Sequence, residues 1–256
     1  MDNETRRDRA ARLLGLLDLT RLDDRCGEAD VAALCDAALA EPRPAAICIW
    51  PQFAGTARRR LGDDGVRIAT VMNFPSGAED PERVAEDISE MVGDGADEVD
   101  LVMPWRALMR GDRATVRAVL SAARETTGAG VVLKVILETG ELGTEELIRE
   151  ATRLAIAEGA DFVKTSTGRT PVSATPEAAR IMLEEIRSAG RPVGFKAAGG
   201  IRSFEDADLY LRLAEEILGP EAGHPARFRI GASALREALL AEVTGTTARA
   251  ETGAAY

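Results

Sequence analysis

A closed α/β barrel of eight parallel strands, each followed by a helix, is the fold this 256-residue sequence predicts. Three observations predict it. Short apolar runs begin near residues 16, 45, 66, 97, 131, 161, 192 and 227, spaced by 21 to 35 residues. Between them, apolar side chains recur at helical spacing. No G-x-G-x-x-G follows any run, which argues against the rival, an open doubly wound sheet with a dinucleotide loop after its first strand.

The elements follow in order. Residues 6–14 form a short helix with Leu13 and Leu14 on its buried side, and 16–20 a brief strand ending in Asp18-Leu19-Thr20. Val31, Leu34, Cys35, Ala38 and Leu39 give residues 29–40 one apolar helical face. Residues 45–50 are continuously apolar and closed by Pro51, as in a strand buried on both faces. A shorter helix over 53–61 leads to the strand 66–72 and its exit loop Asn73-Phe74-Pro75-Ser76-Gly77.

Asp80-Pro81 starts a helix with a capping side chain and a proline in the first turn. The strand 97–103 is closed by Pro104, and residues 112–126 repeat the helical pattern through Val116, Val119, Leu120 and Ala123. A buried strand at 131–137 precedes Thr144-Glu145-Glu146, a cap followed by acids that suit the helix dipole. The strand 161–165 precedes the helix opened by Thr175-Pro176. Strand 192–196, helix 203–218, strand 227–231 and helix 233–243 complete the series. The expected architecture is therefore one (β/α)8, or TIM, barrel domain over residues 1–256. A short N-terminal helix precedes it, and 244–256 form a flexible C-terminal tail.

Composition narrows the function classes. A net charge of −11 argues against nucleic acid or an anionic membrane as partner. Cys26, Cys35 and Cys48 have no metal-ligand spacing, and His224 is the only histidine, so a zinc mechanism has few ligands to draw on. No cofactor is expected. Met1 to Arg7 lacks the apolar run of a signal peptide, and no stretch reaches the ~20 apolar residues of a membrane helix. The expected location is the cytoplasm, and a homodimer is the prior for assembly.

Active sites of such barrels lie at the C-terminal ends of the strands. There the sequence places Asp100, Lys134, Glu138, Lys164 and Lys196. Gly95 to Asp100 and Gly159 to Lys164 are near-copies, with Asp100 and Lys164 in the same position of strands four and six. Alternate strands share side-chain layers, so these two should meet inside the barrel, with Lys196 one strand on. A lysine there could instead be half of a structural salt bridge, but one lysine would suffice for that.

Two neighbouring cations should lower each other's pKa. Bringing a lysine from ~10.4 to ~7 frees about half of it as amine, against roughly 4–5 kcal/mol of adverse environment. A free amine can attack a carbonyl, and the resulting iminium draws electrons from the adjacent carbon–carbon bond. Asp100 would move the protons. The glycine-rich exits of strands seven and eight, with Gly199, Gly200, Arg202, Gly231 and Ser233, suit phosphate, and Gly168 and Arg169 could contribute.

The sequence resembles the deoxyribose-phosphate aldolases. Leu17-Asp18-Leu19-Thr20, Ala46-Ile47-Cys48-Ile49, Asn73-Phe74-Pro75, Gly95 to Asp100, Leu133 to Thr139, Gly159 to Gly168, and Phe195-Lys196 with Gly199-Gly200 carry the likeness. They run in order over nearly the whole chain. The resemblance implies a class I aldolase acting on 2-deoxy-D-ribose 5-phosphate, with aldehydes and sugar phosphates as its small-molecule partners. It implies Lys164 as the Schiff-base lysine, Lys196 as the residue that lowers its pKa, and Asp100 as proton donor and acceptor. Tyr256, the last residue, would assist proton transfer at the enamine carbon. Asp18, Thr20, Cys48, Lys134 and Thr165 would support these groups, although Asp18, Lys134 and Glu138 could equally form a structural ion pair.

Several positions depart from the family pattern. Arg169 replaces a common lysine and Ala234 a second serine, both near the expected phosphate pocket. Trp50 and Trp105 stand for tyrosines and Met72 for a smaller residue, which bears on the aldehydes accepted. Two other readings stay open: a different Schiff-base sugar-phosphate or transaldolase-like aldolase, and a phosphate-binding barrel without catalysis.

Overall fold

The protein is described by a computed structural model over residues 5–246. Helix α1 (Arg6–Leu14) precedes β1 (Leu17–Thr20), then α2 (Glu28–Leu39), β2 (Ala46–Ile49), α3 (Ala54–Leu61), β3 (Arg67–Met72) and α4 (Pro81–Gly93). The chain continues through β4 (Glu98–Val102), α5 (Trp105–Met109), α6 (Arg113–Thr127), β5 (Val132–Ile136), α7 (Thr139–Leu142), α8 (Glu145–Ala157) and β6 (Phe162–Lys164). It ends with α9 (Pro176–Ser188), β7 (Gly194–Ala198), α10 (Phe204–Leu218), β8 (Phe228–Ala232) and α11 (Leu235–Thr244). The strands close in sequence order into a parallel barrel, with Asp18 level with Ala46 of β2 on one side and Gly231 of β8 on the other.

The expected caps at Asp80, Thr144 and Thr175 hold, and Ser203 adds another. Asp80, Thr144, Thr175 and Ser203 each accept a hydrogen bond from the backbone N–H three residues on, satisfying a donor that the first turn leaves open. Two helices, α5 and α7, stand where the sequence suggested only loop. At five and four residues they are too short for a 3.6-residue period to register. The last helix begins at Leu235 rather than Ser233. Of the anticipated tail, only residues up to 246 are described, so Tyr256 lies outside the described residues.

Alternation along the strands divides the core in two. Outward residues such as Ile47, Ile68, Leu101, Val135, Val163 and Phe195 are buried between sheet and helices. The inner face is different. Asp18, Glu98, Asp100, Lys134, Lys164, Lys196 and Arg229 are buried within the ring, while Cys48, Ala69 and Val71 form a small apolar cluster on the β2–β3 side. Polar interiors are costly unless each charge is paired, so the barrel's centre had to be built as a network.

Candidate active site

Asp100, at the middle of β4, holds that network together. Its Oδ2 accepts from Lys164 Nζ and Lys196 Nζ, both at 2.7 Å, and its Oδ1 accepts from Lys134 Nζ at 2.7 Å. Lys196 also donates to Asp18 Oδ2 at 2.5 Å. Lys134 reaches Glu98 Oε2 at 2.6 Å. Arg229 closes the array, bonding Asp18 Oδ1 at 2.7 Å and Glu98 Oε1 at 3.0 Å. The near-copied units therefore do bring Asp100 and Lys164 together, with Lys196 beside them.

The lysines are not equivalent. Lys134 and Lys196 each bond two carboxylates, whereas Lys164 bonds one carboxylate oxygen that it shares with Lys196. Burial lowers the Lys164 pKa below its ordinary 10.5; Asp100 opposes the shift, and the Lys196 charge adds to it. For Lys196 burial acts the same way, but Asp100 and Asp18 outweigh it and its pKa is raised. Lys134 is likewise raised, with Asp100 and Glu98 overcoming burial. The expectation that the two lysines lower each other thus holds for Lys164 alone. Lys196 keeps its proton because it bonds two carboxylates, Asp100 and Asp18, where Lys164 bonds one.

Asp18 and Asp100 remain ionised. Burial would raise Asp18, but Lys196, Arg229 and Lys134 pull it below its ordinary 3.8; Asp100 is drawn well below by Lys134, Lys164 and Lys196. Burial and the Asp100 charge push the Cys48 thiol up, so it stays protonated beside the lysines. The described residues contain no group of three or more His, Cys, Asp or Glu side chains arranged to hold a metal ion.

Other expected residues occupy the mouth. Thr165 Oγ1 accepts from Ala198 N at 3.1 Å, tying the β6 exit to β7 just beyond the two lysines. Thr20 Oγ1 donates to the carbonyl of Asp18. Gly168 and Gly199, both at positive φ, bring the β6 and β7 loops together: a Cβ at Gly199 would lie 3.2 Å from the Gly168 Cα and 2.5 Å from Ser173 Oγ. Gly200 also has φ of +81°. Ser233 is exposed at the β8 exit, and α11 has Ala234 at its N-cap with no side-chain cap bond.

Five residues act differently from the sequence reading. Gly231 makes room for Lys196, since a Cβ there would lie 3.1 Å from its Cε. The Arg202 N–H is taken by Asp206, which leaves only its exposed guanidinium to meet an anion. Among the described residues Glu138 forms no ion pair; at φ +58° it accepts from Thr167 N and Oγ1 and holds the loop that follows Lys164. Arg169 crosses to the β1 exit, where it bonds the Leu22 carbonyl and Asp24 Oδ1 while lying 6.0 Å from the Trp50 and Phe74 ring centres. Met72 lies outside the mouth, in a cleft of about 270 Å³ with Arg83, Asp87 and Met91 of α4.

Sequence reasoning missed Glu98 and Arg229. Both lie two residues before an inward residue already identified, Asp100 and Gly231, so strand alternation could have found them.

Comparison with known proteins fits this geometry. The description of the DeoC/LacD family aldolases matches residues 12–241. The chain belongs to this aldolase family. The deoxyribose-phosphate aldolase of Agrobacterium fabrum (strain C58 / ATCC 33970) is 51% identical over 247 residues, covering 96% of this chain and 95% of that protein. An apo crystal structure from Toxoplasma gondii ME49, provisionally described as a deoxyribose-phosphate aldolase, has 25% identity and a TM-score of 0.86 over 94% of this chain and 98% of that one. The tetrameric deoxyribose phosphate aldolase of Aeropyrum pernix has 27% identity and a TM-score of 0.73 over 93% and 92% of the two chains. As a member of the DeoC/LacD aldolases the chain is a carbon–carbon lyase on a TIM barrel. None of the helices among its described residues is long and apolar enough to cross a membrane.

Proposed function

We propose that this aldolase is of class I and reversibly cleaves 2-deoxy-D-ribose 5-phosphate to D-glyceraldehyde 3-phosphate and acetaldehyde through a Schiff base on Lys164. The observation that carries the reading is the asymmetry of the lysines. Lys164 is 3% exposed and has the weaker claim on Asp100, while Lys134 and Lys196 are fully buried and doubly paired.

The free Lys164 amine attacks the C1 aldehyde to give a carbinolamine, and loss of water leaves an iminium. Removal of the proton from the C3 hydroxyl then breaks the C2–C3 bond, releasing glyceraldehyde 3-phosphate, and the bonding electrons pass into an enamine. Protonation at C2 and hydrolysis release acetaldehyde and restore the amine. Lys196, Asp100 and Lys164 meet at one carboxylate oxygen, so a proton can pass among them without a diffusing carrier. The wall of Cys48, Ala69 and Val71 suits the methyl group of a two-carbon donor. For the phosphate we assign Gly168, Gly199, Gly200 and Ser233, on the exits of the successive strands β6, β7 and β8, the last leading into the uncapped start of α11.

Borohydride reduction in the presence of acetaldehyde, followed by peptide mass mapping, tests the mechanism. An ethyl adduct on Lys164 is expected. No adduct on any lysine would sink the Schiff-base route.

A further inference from the structure

The buried network carries unequal numbers of opposite charges. Four cationic side chains, Lys134, Lys164, Lys196 and Arg229, face three carboxylates, Asp18, Glu98 and Asp100. Three of the cations each bridge two or more carboxylates, and Lys164 alone of the four does not. A guanidinium does not lose its proton in proteins, so the imbalance must be settled among the lysines.

We propose that Arg229 and Glu98 are positioning residues for the reaction: Arg229 is a permanent cation that takes up the charge of Asp18 and Glu98, so the positive surplus of the site falls on Lys164. The inference rests on Lys164 as the Schiff-base residue. Neither Arg229 nor Glu98 contacts it. They act through Asp18, which Arg229 shares with Lys196, and through Lys134, which Glu98 shares with Asp100.

The groups around the Lys164 amine allow the sign to be worked out. Asp100 on β4 and Lys196 on β7 are nearest, Lys134 on β5 and Asp18 on β1 stand behind them, and Cys48 on β2 is a protonated thiol. The inward residues of β3, Ala69 and Val71, carry no charge. Glu138 at the β5 exit is committed to Thr167. Removing Arg229 brings cations and carboxylates level, so Lys164 can keep its proton at neutral pH. Removing the Glu98 charge widens the surplus, so Lys164 should lose its proton more readily. Removing both restores the original surplus.

The test is the pH dependence of kcat/KM, and of the rate of reductive trapping with acetaldehyde, in Arg229→Met, Glu98→Gln and the double variant. The acidic midpoint should rise in Arg229→Met by on the order of one pH unit, as expected for a charge acting within a coupled site. It should fall in Glu98→Gln and return close to the parent value in the double variant. Arg229→Lys should keep the parent midpoint, and Arg229→Gln serves as the neutral variant if the methionine protein does not fold. A purely structural role would lower activity alike at every pH. Single variants that shift the midpoint in the same direction, or leave it unmoved, overturn the proposal. Peptide mapping of the trapped parent enzyme separates the two readings: an adduct away from Lys164 refutes the Schiff-base assignment, whereas an adduct on Lys164 with unmoved midpoints refutes only the role of Arg229 and Glu98.

Discussion

Lys164 and Lys134 lie on neighbouring strands and touch the same carboxylate, yet their loss should have opposite effects on stability. Lys164→Met removes the surplus cation and leaves every carboxylate with a partner. Stability should be unchanged or raised by about 1–2 kcal/mol. Activity should fall by roughly 10⁴-fold or more, because no other amine replaces the nucleophile. Lys134→Met strips one partner from both Glu98 and Asp100 and should cost about 3–5 kcal/mol. Urea denaturation of the two variants, with aldolase assays on each, checks the contrast; equal losses would mean that Lys164 is an ordinary ion-pair lysine. At this scale the sequence identified Lys164, Asp100 and Lys196, since a charge on a strand otherwise apolar is conspicuous. It did not identify Glu98 or Arg229. Each sits where strand ends, turns and charged helix faces also place acids and arginines, and only closure of the ring brings β1 and β4 to Arg229 and β5 and β8 to Glu98.

The elements deliver the chemistry through the C-terminal exits of β6, β7 and β8. There the loop backbone sets the geometry, and Gly199 is its tightest point. At φ +88°, with Ser173 Oγ and Cβ each 2.5 Å from where a Cβ would sit, it has neither conformational nor spatial tolerance. Gly199→Ala should destabilise the fold by about 1–3 kcal/mol and raise KM for the phosphorylated substrate. Gly190 is a control, because its φ of +69° is also positive but a Cβ there meets open space. Gly190→Ala should lose less stability and leave KM alone; comparing the two by denaturation and steady-state kinetics tests the assignment of the loop. Strands and long helices were legible because period and caps repeat over many residues. The helices α5 and α7 and the crossing of Arg169 to Asp24 were not, since each depends on loops brought together by the closed barrel.

Across the whole molecule the network makes stability depend on pH with a definite sign. Asp18 and Asp100 are held below their ordinary 3.8, so their contribution is complete above that value and is lost as pH falls through the folded values. Lys134 and Lys196 are held above 10.5, so their contribution is complete below it and is lost as pH rises further. Lys164 is the exception. Its lowered value means that the unfolded chain binds the extra proton, and its own contribution to stability should rise with pH up to 10.5. Denaturation midpoints should therefore drop below pH 3.8, and the difference in midpoint between the parent and Lys164→Met should grow in favour of the parent as pH rises towards 10.5, while the raised cysteines, common to both proteins, cancel from it. A difference between the two proteins that stays flat or shrinks over that range would contradict a lowered Lys164. The sequence by itself determined the barrel, the order of its elements and the strand ends that carry reactive groups, because period-two and 3.6-residue patterns, caps and breakers act over short distances along the chain. Only the tertiary structure decided which lysine has the weakest hold on its proton. That depends on which carboxylates each amine shares, and in a closed ring the sharing partners come from strands up to 211 residues apart.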